Sequence, residues 1–272
     1  MQLKDARVLL TGATGGIGLA LGKAFLQQGA KLIIVGRSID KLESTCRTLT
    51  SLEQVESPSC AWEQLDFESA DVEQQLQALQ RKYPDINLIV HCAGVNGFGA
   101  AESLSIQTMD QMLLVNLRSV MLLNSRFIPH LRQQKDATIV HIGSTFGSIG
   151  YPGFSAYCAT KFGLRGYSEA LGRELADTDI HVVYVAPRAT NTAMNAGVID
   201  EMNRELKVAM DEPEKVAAQI VTAIQKNRLR LFIGWPEKFF IRINGLFAGM
   251  VDNALVKQLP VIRRYMAKIS VY

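Results

Sequence analysis

The sequence has few of the features that mark whole classes of protein. It holds only four cysteines, at 46, 60, 92 and 158. Their spacing supplies neither a metal-ligand set nor a disulfide framework, so reduced thiols in the cytoplasm and no metal are expected. No run of about 18 uncharged apolar residues exists, which argues against a simple membrane-spanning helix. The chain opens Met-Gln-Leu-Lys-Asp and passes at once into an apolar run, so no secretory leader is expected. No internal repeat and no low-complexity linker interrupts it. Net charge is small, +3 over 272 residues, and no nucleic-acid partner is expected on that basis. What the chain does have is core: 48% of residues are hydrophobic and 20% charged. That composition and length suit one α/β domain with a short appendage.

The small net charge hides an asymmetry. Residues 226–272 carry nine Lys or Arg against Glu237 and Asp252, about +7, which leaves about −4 for the rest. A basic end of this kind points to a partner or a surface.

Apolar runs rich in β-formers occur at Arg7–Leu10, Lys31–Val35, Ala61–Leu65, Ile86–His91, Thr138–Ile142 and His181–Val185. Stretches of helical spacing separate them, at Ile17–Gln28, Ile39–Leu49, Ala70–Lys82, Met109–Leu131 and Ala156–Ala176. A further helix, Glu214–Gln225, leads to a seventh strand candidate, Leu229–Ile233. Regular alternation predicts an α/β fold: a doubly wound parallel sheet of about seven strands with helices on both faces. Ligands of such sheets bind beyond the carboxyl ends of the strands. Functional residues are therefore expected in Gly12–Gly18, Gly36–Arg37, Asp66, His91–Gly94, Gly143–Thr145 and Pro187–Thr192.

The first of these segments reads Thr11-Gly12-Ala13-Thr14-Gly15-Gly16-Ile17-Gly18. Glycines let the backbone turn tightly and approach a pyrophosphate, and the helix that follows offers free N–H groups and a positive dipole end. The segment does not fit G-x-G-x-x-G, and a glycine turn can also serve strand–helix packing alone. Its place after the first strand favours nucleotide binding. It resembles the Thr-Gly-x-x-x-Gly-Ile-Gly cofactor loop of short-chain dehydrogenases/reductases, which implies a Rossmann-like fold. It also satisfies the Thr-Gly-x-x-Gly-x-x-Gly pattern of their extended relatives. Chain length and the later motifs favour the short branch.

The second strand ends in Val35-Gly36-Arg37-Ser38, with no carboxylate at its tip. The fork of donors on Arg37 suits a 2′-phosphate, which favours NADP(H) over NAD(H). A solvated surface arginine is the plainer alternative, and Asp40 is a weak rival as ribose acceptor. By the resemblance, Asp66 would contact the adenine amino group.

Tyr157 and Lys161 lie four apart on a predicted helix, so their side chains share a face. A nearby ammonium is expected to lower the phenol pKa from about 10 toward the working range. Ser144, at the end of the fifth strand, can donate to a carbonyl oxygen that gains charge as hydride arrives. Tyr-x-x-x-Lys alone occurs often by chance. The spacing of 13 from Ser144 to Tyr157 makes it stronger, and matches the Ser…Tyr-x-x-x-Lys arrangement of the same family. That resemblance implies that Asn116 holds a water or backbone group linking Lys161 to solvent; the alternative is a helix-bending polar residue.

Two segments depart from the family pattern. His91-Cys92-Ala93-Gly94 stands where Asn-Asn-Ala-Gly is usual; Ala93 and Gly94 remain for close backbone approach, and His91 reads as a packed strand-end residue. Pro187-Arg188 replaces Pro-Gly, which puts the local loop geometry in question. By resemblance, Pro187, Thr190 and Thr192 would flank the nicotinamide carboxamide. Past Thr192, Met194, Met202 and Met210 suit an adaptable apolar flap over a substrate, and would serve ordinary helix packing equally well.

Residues 1–235 are thus expected to form the catalytic domain and 236–272 a helical extension. In the extension Phe239, Ile243, Leu246, Phe247, Met250 and Ala254 form one apolar stripe at helical spacing. Packing on the domain or in a dimer, an interfacial helix on an anionic membrane, and a flexible tail all remain open. In the membrane reading Lys238, Arg242, Arg263, Arg264 and Lys268 face lipid. The expected function is NADP(H)-dependent interconversion of a carbonyl and a secondary alcohol on a lipophilic substrate, by a homo-oligomer. The alternatives are a catalytically silent nucleotide-binding scaffold, and an epimerase or dehydratase, for which the chain lacks a substrate domain.

Overall fold

The computed structural model of the chain describes residues 1–51 and 59–269. In chain order its elements are β1 (Arg7–Thr11), α1 (Gly16–Gln27), β2 (Lys31–Gly36), α2 (Ile39–Thr50), β3 (Cys60–Gln64), α3 (Val72–Lys82) and β4 (Leu88–His91). Then come α4 (Ile106–Leu113), a π-helical turn at Leu114–Arg118, α5 (Ser119–Leu131), β5 (Ala137–Ile142), α6 (Ser155–Glu174) and β6 (Ile180–Ala186). The last are α7 (Val198–Glu205), α8 (Pro213–Gln225), β7 (Arg230–Phe232), α9 (Glu237–Leu246) and α10 (Ala248–Ile269).

The seven strands form one parallel sheet in the order β3-β2-β1-β4-β5-β6-β7. The chain therefore reverses its direction of travel between β1 and β4, and a crevice opens there at the strands' carboxyl ends. Alternation along each strand divides the core in two. Val8, Leu10, Leu32 and Ile34 meet Leu21 and Phe25 of α1, Leu49 of α2 and Ile220 of α8 on one face. Leu9, Ile33 and Ile89 meet Leu76 of α3, Phe127 of α5 and Leu171 of α6 on the other. Both faces are covered, which is why the strands read as continuous apolar runs.

A third apolar cluster lies beyond the sheet and draws in the extension. Ile262 and Tyr265 of α10 are buried with Phe98, Met112, Phe154, Tyr157 and Met202. Of the three readings open for the tail, packing holds for α10. Arg264 pairs with Glu205 of α7, the Tyr265 hydroxyl donates to Glu205 at 2.9 Å, and Lys268 reaches Glu201 at 2.7 Å. Arg264 and Lys268 thus tie α10 to α7. The single apolar stripe is also corrected. The helix breaks at Phe247, whose φ of −140° and ψ of 58° end α9. Residues 270–272 of the extension lie outside the described residues. Among the described residues no helix is long and apolar enough to cross a membrane.

The expected helix Met109–Leu131 is α4 and α5 joined by the π turn. That turn holds Asn116, and π bulges occur frequently at functional sites.

Candidate active site

A cavity of 660 Å³ lies at the carboxyl ends of the strands, within the size range of cofactor sites. At its floor Thr11, the last residue of β1, accepts bonds from the N–H groups of Cys92 and Ala93, both at 3.1 Å. The glycine turn closes against this junction. Gly12 has a φ of +72°, and a Cβ there would stand 2.5 Å from the Ala93 nitrogen, so only glycine fits. Gly15 caps α1 without a side-chain bond, and the N–H groups of Gly16, Ile17 and Gly18 open the helix at the cavity wall. These are the donors that a helix cannot satisfy internally, and they suit a phosphate.

Arg37 and Asp66 border the same cavity, as do Thr14, Gly94, Pro187, Thr190 and Thr192. Arg37 is solvated and forms a 3.3 Å ion pair with Glu68 from the loop after β3. An exposed pair of this kind is weak and leaves the guanidinium available to a stronger anion. Lys41, from the first turn of α2, also lines this end, and Asp40 does not. The amides at the helix start and the close glycine approach fit a dinucleotide.

Ser144, Tyr157 and Lys161 meet at the other end. Ser144 caps the short turn after β5: its Oγ accepts from the Phe146 N–H at 3.1 Å, and its hydroxyl is hydrogen-bonded to Tyr157. Tyr157 and Lys161 are nearly buried on the inward face of α6. Lys161 Nζ donates to the Ile142 carbonyl at 3.0 Å and stands 5.7 Å from the Tyr157 ring centroid. Burial pushes the Lys161 amine down to about 8. Burial likewise pushes the Tyr157 phenol above its usual range, while the Ser144 hydroxyl draws it down. Burial is the largest influence on this phenol, and it opposes the lowering expected from a nearby ammonium.

Asn116 stands just behind the wall. Its Oδ1 accepts from the Val95 N–H at 2.9 Å, and its Nδ2 donates to the Val95 carbonyl at 2.8 Å and to Thr160 at 3.1 Å. It holds a backbone group, and so ties β4's exit loop to α6.

His91 lies in the interior, away from the cavity. It bonds Asn124 at 2.7 Å, and Asn124 bonds His141 at 2.9 Å. Burial pushes His91 down to about 4, and His141 is lowered by the same cause. Arg188 makes the departure from Pro-Gly intelligible. It grips Asp211 with two bonds, of 2.7 and 3.0 Å, and donates to the Trp235 carbonyl at 2.8 Å and to Glu237 at 3.4 Å. Gly234, with φ +102°, makes room, since a Cβ would meet the Arg188 side chain at 2.5 Å. One side chain thus fastens the loop after β6 to the start of α9.

Glu68, Lys41, Phe146 and Phe154 line the cavity without a signal in the sequence, whereas Met194 and Met202 stand where the flap is expected. Glu68 and Lys41 reach the nucleotide end only through the fold. At the other end Phe146, Phe154, Met194 and Met202 form an apolar wall, joined from the extension by Phe240, Val251, Leu255 and Gln258. Met210 of the expected flap does not line the cavity.

Comparisons with known proteins agree with this layout. The family model described as short chain dehydrogenase matches residues 6–203. The chain is 27% identical over 235 residues to a 3-ketodihydrosphingosine reductase of Bos taurus, covering 84% of this chain and 71% of that protein. It is 28% identical over 260 residues to a 3-oxoacyl-(acyl-carrier-protein) reductase of Thermotoga maritima, covering 92% and 100%. A short-chain dehydrogenase/reductase of Burkholderia phymatum, solved in complex with NAD, superposes with a TM-score of 0.81 at 19% identity, over 92% of this chain and 96% of that one. The family match spans β1 to β6, the glycine turn and the helix of Tyr157 and Lys161, and so the chain belongs to the short-chain dehydrogenase family of oxidoreductases.

Proposed function

We propose that this oxidoreductase is NADP(H)-dependent and reduces a ketone on an apolar, acyl-chain substrate to a secondary alcohol. The observation that carries the reading is the meeting of Ser144, Tyr157 and Lys161 in a cavity whose far end presents free helix amides, Arg37 and Lys41. The amides of Gly16, Ile17 and Gly18 would hold the pyrophosphate, with Gly12 and Thr14 shaping the turn. Arg37 and Lys41 would take the 2′-phosphate, Asp66 the adenine amino group, and Ala93, Gly94, Pro187, Thr190 and Thr192 the nicotinamide side. When bound, the cofactor supplies or accepts the hydride.

The rest of the chemistry belongs to this chain's residues. Burial keeps the Tyr157 hydroxyl protonated, which suits a proton donor to the carbonyl oxygen. The Ser144 hydroxyl, beside Tyr157, would donate to that oxygen and stabilise the charge growing on it. The Lys161 ammonium, 5.7 Å from the ring, favours the phenolate that donation leaves. Asn116 positions Lys161 by holding Val95 against α6. The aromatic and methionine wall excludes water and fits an alkyl chain. Both relatives are named as reductases, of a 3-keto and a 3-oxo compound, which supports the substrate class.

We take residues 1–235 as the catalytic domain and 236–272 as an extension that completes the substrate wall. The spacing of the four cysteines suits reduced thiols in a cytoplasmic enzyme, and exposed Leu113, Met121 and Phe162 on α4, α5 and α6 suit a homo-oligomer. The test is NADPH oxidation over a chain-length series of 3-oxoacyl thioesters. Tyr157→Phe should lower turnover by about 10²–10⁴-fold, the scale of general acid catalysis, with cofactor affinity nearly unchanged. A fully active phenylalanine variant refutes the mechanism.

A further inference from the structure

The break at Phe247 creates a corner between α9 and α10 that the fold does not bury. Leu246, Phe247 and Met250 are 77%, 61% and 64% exposed. At the other end of α9 Trp235 and Phe239 stack, with centroids 6.5 Å apart, and both are exposed. Large apolar side chains gathered in this way mark an interaction surface.

Charge narrows the partner. Lys238 and Arg242 lie on α9 and form no ion pair among the described residues. Glu237 is the one carboxylate on α9, and Arg188 holds it at 3.4 Å. A second copy of this chain on a two-fold axis would set these cations against themselves. An anionic lipid surface meets them with opposite charge, and takes Trp, Phe and Leu at its interface.

Position narrows it further. The same two helices form the apolar substrate wall through Phe240, Val251 and Leu255. Phe240 is both partly exposed and cavity-lining, so the outer patch runs into the inner wall.

We propose that the α9–α10 corner docks the protein on an anionic phospholipid bilayer, and that an acyl-chain substrate enters the cavity from that bilayer past Phe240. The substrate part rests on the reductase reading; the docking does not. The surface is the corner with Lys238 and Arg242. Arg264 and Lys268 take no part.

The experiment is flotation of the full chain with phosphatidylcholine vesicles, with and without phosphatidylglycerol. Wild type should float with the anionic vesicles at low salt and sink at molar salt, where the Debye length is about 3 Å. L246S/F247S/M250S should bind about a hundredfold more weakly, because three buried apolar groups are lost. It should still reduce a short water-soluble ketone at the wild-type rate, since none of the three residues lines the cavity. K238Q/R242Q tests the charge separately and should bind about thirtyfold more weakly. The proposal fails if wild type sinks with anionic vesicles at low salt, or if both variants bind as wild type does. It also fails if the triple variant turns a wild-type dimer into monomer in sedimentation velocity while wild type ignores vesicles. Floating protein that reduces no ketone would overturn the reductase reading and leave docking standing.

Discussion

Replacing Arg188 with glycine, the residue usual in related loops, should loosen two parts of the molecule at once. The Arg188 and Asp211 side chains are only 15% and 17% exposed, and their contact is bidentate. The same guanidinium bonds the Trp235 carbonyl and Glu237. A hydrogen bond to a charged group is worth about 1.5–3 kcal/mol net. Removing one partner of a buried pair costs about 3–5 kcal/mol, and partial exposure here scales that to about 2–4. For a domain of this size that is a fall in Tm of about 6–12 °C. A double-mutant cycle with Asp211→Asn, read by urea unfolding, should return a coupling energy of about 1.5–3 kcal/mol. Arg188→Lys should not rescue it, because an ammonium cannot form the fork. The loop of Pro187–Thr192 lines the cavity, and the clamp holds it to the start of α9. Substrate KM should therefore rise severalfold in the glycine variant. A coupling energy under about 0.5 kcal/mol, the limit of additivity for independent sites, would refute the clamp.

Two other outcomes follow from the site and its surroundings. Arg37→Ala should weaken NADPH by about 1.5–3 kcal/mol and leave NADH nearly unchanged; equal losses measured by cofactor titration would remove Arg37 from the 2′-phosphate. His91, pushed down to about 4 by burial, stays neutral in the fold at pH values where the unfolded chain takes a proton. Stability should therefore be lost as pH falls from about 6.5 toward 4, by about 2 kcal/mol for this residue between pH 7 and 5. Urea unfolding across that range should show a shallower slope in His91→Gln, and an unchanged slope would clear His91 of the effect.

Much of the architecture was legible because it follows from local chemistry. Strand then helix, repeated, leads to a parallel sheet, since right-handed crossovers leave few other arrangements. The glycine turn was readable because Gly12 needs a positive φ and a close backbone neighbour, which few residue types allow. Ser144, Tyr157 and Lys161 were readable because two of them share a helix face and the third ends a strand at a fixed spacing. Only the tertiary structure decided the remainder. Glu68 reaches Arg37 across 31 positions of sequence, through the pairing of β2 with β3. Arg188 reads as a disturbed loop until Asp211 and the Trp235 carbonyl come into place around it. The amphipathic stripe of the extension predicted an apolar face, but periodicity records burial and not its partner. The break at Phe247 divides that face, with α10 on the domain and the corner in solvent. The state of Tyr157 was decided the same way. Sequence brings an ammonium within one helical turn, but depth of burial is the largest influence on the phenol, and that comes from the core closing around α6.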